Sequence, residues 1–171
     1  MRSPYPVSLV EFVERFGTTG PRCVLLSGLL AFRHELHSAG LVNGFQWMDG
    51  SFVENKELIE GSQPKDIDCV TFYDLPVEDD EYVYSNFSKT FDRKRVKEQL
   101  GVDSVVVLNL RMPTMNLVRA TTHYYSLFSH QRNREWKGFV QVKLSPEDDV
   151  AASAALAAII NEPELDSHDD E

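Results

Sequence analysis

The chain has 171 residues, 42% of them hydrophobic and 26% charged, which suits one globular domain with a sizeable core. Its net charge of −10 is uneven: residues 145–171 hold nine acids and no Lys or Arg, whereas residues 1–144 hold 18 acids and 17 basic residues. No apolar run reaches the ~18–20 residues of a membrane span, and no long basic stripe marks a duplex DNA or RNA binder.

Near the N-terminus, Ser8-Leu-Val-Glu11 reads as a capping box. Leu9, Phe12, Val13 and Phe16 then fall on one helical face, and Gly17 ends the helix. A second helix opens at Thr18-Thr-Gly-Pro21 and runs to His37, with Gly40 as its stop and Leu25, Leu29, Phe32 and Leu36 as its buried stripe. The apolar run Cys23–Phe32 has no small-residue cleavage site and continues as Arg33-His-Glu-Leu-His37, so it reads as a helix of a cytoplasmic protein rather than as a signal peptide. Cys23 and Cys69 lie far apart in apolar segments, as buried free thiols do.

Gly44–Asp49 reads as a strand that enters a Gly50-Ser51 turn, and Phe52–Glu60 as a helix broken by Gly61-Ser-Gln-Pro64. Asp66–Tyr73 is a second strand and Asp74–Asp80 a polar loop. Glu81–Leu100 is expected to be one helix ending at Gly101. Its basic run Arg93-Lys-Arg-Val-Lys97 is read as a solvated face. Val102–Leu110 is a mostly apolar strand, expected to be buried on both faces. Helix Thr114–His130 follows Pro113, Gln131–Trp136 is a charged turn, and Lys137–Leu144 is a strand. Ser145-Pro-Glu-Asp then starts an alanine-rich helix to Ile160. Residues 1–161 are expected to form a single domain, and residues 162–171 have the composition of a disordered acidic tail.

The chemistry concentrates in Asp49-Gly50-Ser51 and, after a gap of 14 residues, Asp66-Ile67-Asp68. A Gly-Ser turn exposes backbone N–H groups and a hydroxyl, which suit phosphate oxygens. Asp-x-Asp on a strand points both carboxylates to one face. Such a pair repels unless a cation sits between them, and hard oxygen sites of this kind, joined by substrate phosphates, hold Mg²⁺. The reading is a phosphate turn beside a magnesium site.

Gly50-Ser51 followed by Asp66-x-Asp68 resembles the nucleotidyltransferase superfamily, with its polymerase-beta-like fold. The strings Phe45–Glu54, Pro64–Phe72 and Trp136–Leu144 resemble an uncharacterised bacterial family of nucleotidyltransferase-like proteins, a domain of unknown function, over roughly Gly20 to Leu144. The resemblance implies an α+β fold, a nucleotidyltransferase-like mixed β-sheet flanked by helices. It also implies a third carboxylate on a neighbouring strand, for which Asp103 is the candidate, and Asp103 reads equally well as a strand-start turn residue. Asp66, Asp68 and Asp103 would then be the catalytic and metal-binding set for Mg²⁺, with Asp103 a possible base. Gly50 and Ser51 would hold the phosphates of an NTP, and Lys137 or Arg132 would supply a cation, although Lys137 reads equally well as an ordinary strand-edge lysine. Glu54 and Asp49 add negative charge there: they face away, join the metal cluster, or mark an altered site. His34, His37 and His123 read as helix-surface histidines. Tyr124, Tyr125 and Phe128 read as core.

Two functions compete at this stage. One is a Mg²⁺-dependent enzyme transferring a nucleotide from an NTP to a hydroxyl of protein, RNA or a small molecule, as small relatives of that superfamily do in toxin–antitoxin or phage-defence pairs. The other is a catalytically inactive module, an antitoxin or scaffold, that meets a basic protein partner through its acidic tail. A nucleotide sensor without turnover is a third option.

Overall fold

The computed structural model describes residues 3–131 and 133–162, and local signals account for most of its element boundaries. The Ser8 hydroxyl accepts from the Glu11 N–H at 3.1 Å while the Glu11 carboxylate accepts from the Ser8 N–H at 2.7 Å. This capping box starts α1 (Leu9–Phe16). Thr19 caps α2 (Gly20–Ser38) by accepting from the Arg22 N–H, and Pro21 occupies the first turn. The strands β2 (Gly44–Asp49), β3 (Ile67–Tyr73), β4 (Val102–Asn109) and β5 (Val140–Lys143) form where alternating and β-rich segments were expected, within a few residues. A short strand at the N-terminus, β1 (Tyr5–Val7), has no sequence signal of its own and forms by pairing with β5.

Two predicted helices break. Residues 52–60 divide into a 3-10 turn (Gly50–Val53) and the short α3 (Lys56–Glu60), because the Asn55 side chain accepts from the Leu58 N–H and starts a new helix. Residues 81–100 divide into α4 (Asp80–Asn86), a 3-10 turn (Ser88–Phe91) and α5 (Arg93–Leu100). There the Ser85 and Asn86 side chains bond back to the Glu81 and Tyr82 carbonyls, and Asp92 caps the next helix by accepting from the Arg95 N–H. The chain finishes with α6 (Thr114–Phe128), β5 and α7 (Pro146–Asn161).

The strands make one mixed sheet in the order β1-β5-β2-β3-β4. The β1/β5 and β3/β4 pairs are parallel, and the two central pairs are antiparallel. The described residues are thus α+β, a five-stranded mixed sheet with helices on both faces. One face carries Met48, Ile67, Cys69 and Tyr73 and packs under Phe12, Leu26, Leu29, Phe32 and Leu156 from α1, α2 and α7. The other carries Trp47, Val70, Phe72, Leu108 and Phe139 and is covered by α6 through Phe128, Tyr124 and Tyr125. The β4 strand lies at the sheet edge and Val105–Val107 are only half-buried, so the expected burial on both faces is not met. No helix among the described residues is long and apolar enough to cross a membrane. Cys23 and Cys69 are free and buried.

Candidate functional site

Strand register builds the site. Asp49 of β2 lies opposite Asp68 of β3, and Asp68 lies beside Asp103 of β4. Residues opposite one another point to the same face. Two-residue alternation puts Asp68 on the side of Val70 and Phe72, and Asp49 on the side of Trp47. The row therefore crosses three strands at one end of the sheet, on the face that α6 covers. Asp66, two residues before Asp68, extends it.

Like charges set side by side repel, and the protein meets this with its own cations. Lys97 Nζ lies 2.6 Å from Asp66 Oδ2 and 2.6 Å from Asp103 Oδ2. Arg93 Nε donates to Asp103 Oδ1 at 2.5 Å. Lys137 Nζ donates to Glu54 Oε1 at 3.0 Å and sits at the same distance from Asp49 Oδ1. The contact to Asp49 is an ion pair off the hydrogen-bonding direction, so this buried oxygen accepts no directed hydrogen bond among the described residues. Asp68, at the centre of the row, has no hydrogen bond or ion pair among the described residues.

Protonation follows these partners. Burial pushes Asp68 up, and the charges of Asp66 and Asp103 add to the rise against Lys97 and Lys137. Burial likewise lifts Asp49 to about 6, against the pull of Lys137. Burial also works to raise Asp103, but the hydrogen bonds from Arg93 and Lys97 outweigh it and hold this carboxyl below the usual range. Hydrogen bonds to the same two carboxylates push Lys97 up to about 12.

The turn after β2 fits against this row. Gly50 has φ +79°, and a Cβ there would lie 1.9 Å from Asp68 Oδ2. No other residue type allows both the conformation and the contact. Ser51 follows in the 3-10 turn, partly exposed, and its hydroxyl makes no hydrogen bond among the described residues. The segment beyond is pinned by the buried Arg22 of α2, which donates to the Phe52 carbonyl at 2.7 Å, to the Glu54 carbonyl at 2.8 Å and to Glu57 at 2.6 Å.

The structure thus gathers Asp66, Asp68, Asp103, Gly50 and Lys137 in one place. Ser51 adjoins them, and Arg132 lies outside the described residues. Asp49 and Glu54 belong to the row, joined by Lys137. The run Arg93–Lys97 lies on a solvated face as expected, but the sequence reading missed that Arg93 and Lys97 also pair with the carboxylates of the row. Their i, i+4 spacing just before the Asp103 strand was the available signal. His37 bonds the Leu41 carbonyl and Asp149 away from this row.

Among the described residues no three of Asp, Glu, His and Cys converge as metal ligands. The ammonium of Lys97 lies between Asp66 and Asp103, where a metal would otherwise balance them. The Asp68 carboxylate, not directly paired among the described residues, flanked by further hard oxygen donors and pressed on the Gly50 turn, still has the chemistry of a divalent-cation ligand. A family model described as a family of unknown function, DUF6932, matches residues 2–143. No curated protein and no solved structure matches the chain.

Proposed function

The chain belongs to this family of unknown function, whose model spans most of its length, and from the site we propose that it is a Mg²⁺-dependent nucleotidyltransferase-like enzyme that moves a nucleotide from an NTP to a hydroxyl acceptor. The observation that carries the reading is Asp68, a carboxylate with no directly paired cation among the described residues, set between Asp49 and Asp103 and seated on the Gly50 turn. Asp68 would be the ligand to the cation, with Asp66 and Asp103, bridged by Lys97, as the further carboxylates of the row that could turn to it. Bound there, Mg²⁺ supplies positive charge that offsets the triphosphate. The Gly50 and Ser51 N–H groups and the Ser51 hydroxyl are the phosphate donors. Lys137 offsets the Asp49 and Glu54 charge that would repel phosphate at this turn.

In the transfer the acceptor hydroxyl oxygen bonds to the α-phosphorus, the bond to the β-phosphate oxygen breaks, and pyrophosphate leaves. The hydroxyl proton needs an acceptor. Asp103, the base expected from sequence, is held ionised by Arg93 and Lys97 and is a weak one. Asp49, directly opposite Asp68 on β2, is the other carboxylate of the row placed to take the proton. The acceptor is a protein, an RNA or a small molecule, and a role beside a partner toxin or in phage defence belongs to the same proposal.

One observation favours a second reading, an inactive binding module. Lys97 and Lys137 already neutralise four of the carboxylates, as a site without metal requires. Thermal-shift titration with each NTP, with and without Mg²⁺, separates the two. In the enzyme reading, wild type shifts only with Mg²⁺ and nucleotide together, and Asp66→Ala with Asp68→Ala abolishes the shift while leaving the fold intact. No shift with any nucleotide supports the module, and a pull-down of its protein partner is then the next step.

A further inference from the structure

Arg93 and Lys97 stand one turn apart on α5 and face the same carboxylates, yet neither is used up by them. Arg93 spends Nε on Asp103, and its two terminal nitrogens make no hydrogen bond among the described residues. A guanidinium has five N–H donors in a fixed plane, and the four that remain on Nη1 and Nη2 match two phosphate oxygens at once. Lys97 has three donors and meets two carboxylates. The side chains are 55% and 46% exposed, so the unused donors reach solvent at the rim of the row. Lys137, the cation expected for this task, is only 12% exposed and spent on Asp49 and Glu54.

The scaffold behind these cations is tight. Val96 is fully buried, Gly101 ends α5 in the left-handed conformation, and α5 abuts α2 so closely that a Cβ on Gly28 would lie 1.8 Å from the Leu100 carbonyl oxygen. The helix therefore presents Arg93 and Lys97 from a fixed position, with Asp103 and Asp66 orienting their heads. Long side chains held in place before a ligand arrives lose little freedom on binding it.

We infer that Arg93 and Lys97 form a phosphate-binding subsite at the edge of the carboxylate row and take the terminal phosphates of a nucleoside triphosphate. The inference rests on the nucleotide reading of the row and adds which residues grip the anion. With Asp49, Glu54, Asp66, Asp68 and Asp103 set against Lys97, Arg93 and Lys137, the row is net negative, so the subsite takes a polyphosphate only together with Mg²⁺.

The test is calorimetric titration of the full chain with magnesium tripolyphosphate and with Mg·ATP. Arg93→Gln is expected to weaken both by about tenfold, the loss of one charge-assisted bidentate contact. Lys97→Gln should weaken both as well. Lys94→Gln makes the same charge change on an 83% exposed neighbour paired with Glu98 and should bind as wild type. Wild-type affinity in Arg93→Gln, or an equal loss in Lys94→Gln, overturns the subsite. If Asp68→Asn abolishes binding while Arg93→Gln does not, the nucleotide site stands and only this inference falls. If wild type binds neither ligand, both fall.

Discussion

Asp49 and Asp103 stand on either side of Asp68, yet their environments push their protonation in opposite directions. Burial dominates at Asp49 and lifts it from the ordinary 3.8 to about 6, because the charge and hydrogen bonding of Lys137, which it shares with Glu54, offset only part of the desolvation. At Asp103 two directed cationic donors outweigh burial. The folded chain keeps the Asp49 proton up to about pH 6 while the unfolded chain releases it near 3.8. Asp49 therefore lowers stability progressively as pH rises through that interval, and the cost is complete above it. Asp103 acts oppositely: its contribution is present above the unfolded value and is lost as pH falls through the lowered one. Asp49→Asn removes the first effect alone. Its stability relative to wild type should be higher at pH 7 than at pH 4 by on the order of 3 kcal/mol. Urea unfolding at the two pH values measures the difference, and an equal offset at both would show that Asp49 is not held protonated. Asp68→Ala should likewise raise the melting temperature without Mg²⁺, since it deletes a half-buried carboxylate that repels Asp66 and Asp103 and makes no hydrogen bond or ion pair among the described residues.

At the scale of elements, α5 is the piece on which the site depends without supplying a carboxylate. Its approach to α2 through Gly28 leaves no room for a methyl group. Gly→Ala inside a helix ordinarily stabilises by about 1 kcal/mol. Here the added Cβ meets a backbone carbonyl oxygen at 1.8 Å, so the sign reverses and Gly28→Ala should destabilise by about 1–3 kcal/mol, the usual cost of overpacking. Chemical denaturation would show a lower midpoint than wild type, whereas an unchanged or higher one would mean that α5 yields easily. The same helix marks the boundary of what was readable beforehand. Asp-x-Asp on a β-rich strand and the Gly-Ser turn announced themselves, because alternation and turn chemistry are local. The Ser8–Glu11 capping box and the two N-terminal helices were legible for the same reason. The site cations were not. Reading 81–100 as one helix hid the break at Phe87–Asp92 that aims Arg93 and Lys97 at Asp103. Strand order was equally hidden. Nothing local says that β3 lies between β2 and β4, and only that order sets Asp68 between Asp49 and Asp103.

Across the whole molecule the two faces of the sheet are held with unequal strength. Behind the site, α1, α2 and α7 bury one continuous core, and Arg33 of α2, fully buried, ties three further elements together. It donates to Asp149 of α7 at 2.9 Å, to Gln46 of β2 at 2.6 Å and to the Lys143 carbonyl of β5 at 3.0 Å. The site side has α6 alone. Of its residues only Phe128 is fully buried, while Met115, Val118 and Leu127 are more than half exposed. Tyr124 of the same helix is within electrostatic reach of Arg93, so α6 borders the carboxylate row. A helix with so little buried apolar surface opens at lower free energy than one sealed in the core. Its backbone amides should exchange with solvent well before those of α2 in a hydrogen–deuterium time course, and Mg·ATP should slow that exchange if the ligand lies against α6. Protection in α6 equal to that of α2 would mean that the face is braced by contacts beyond Phe128, Tyr124 and Tyr125. For the proposed reaction the unequal bracing would matter: Asp49, Asp68 and Asp103, whose geometry the reaction needs, sit on the sheet that the deeply packed side supports, and the lightly packed cover lies on their own face.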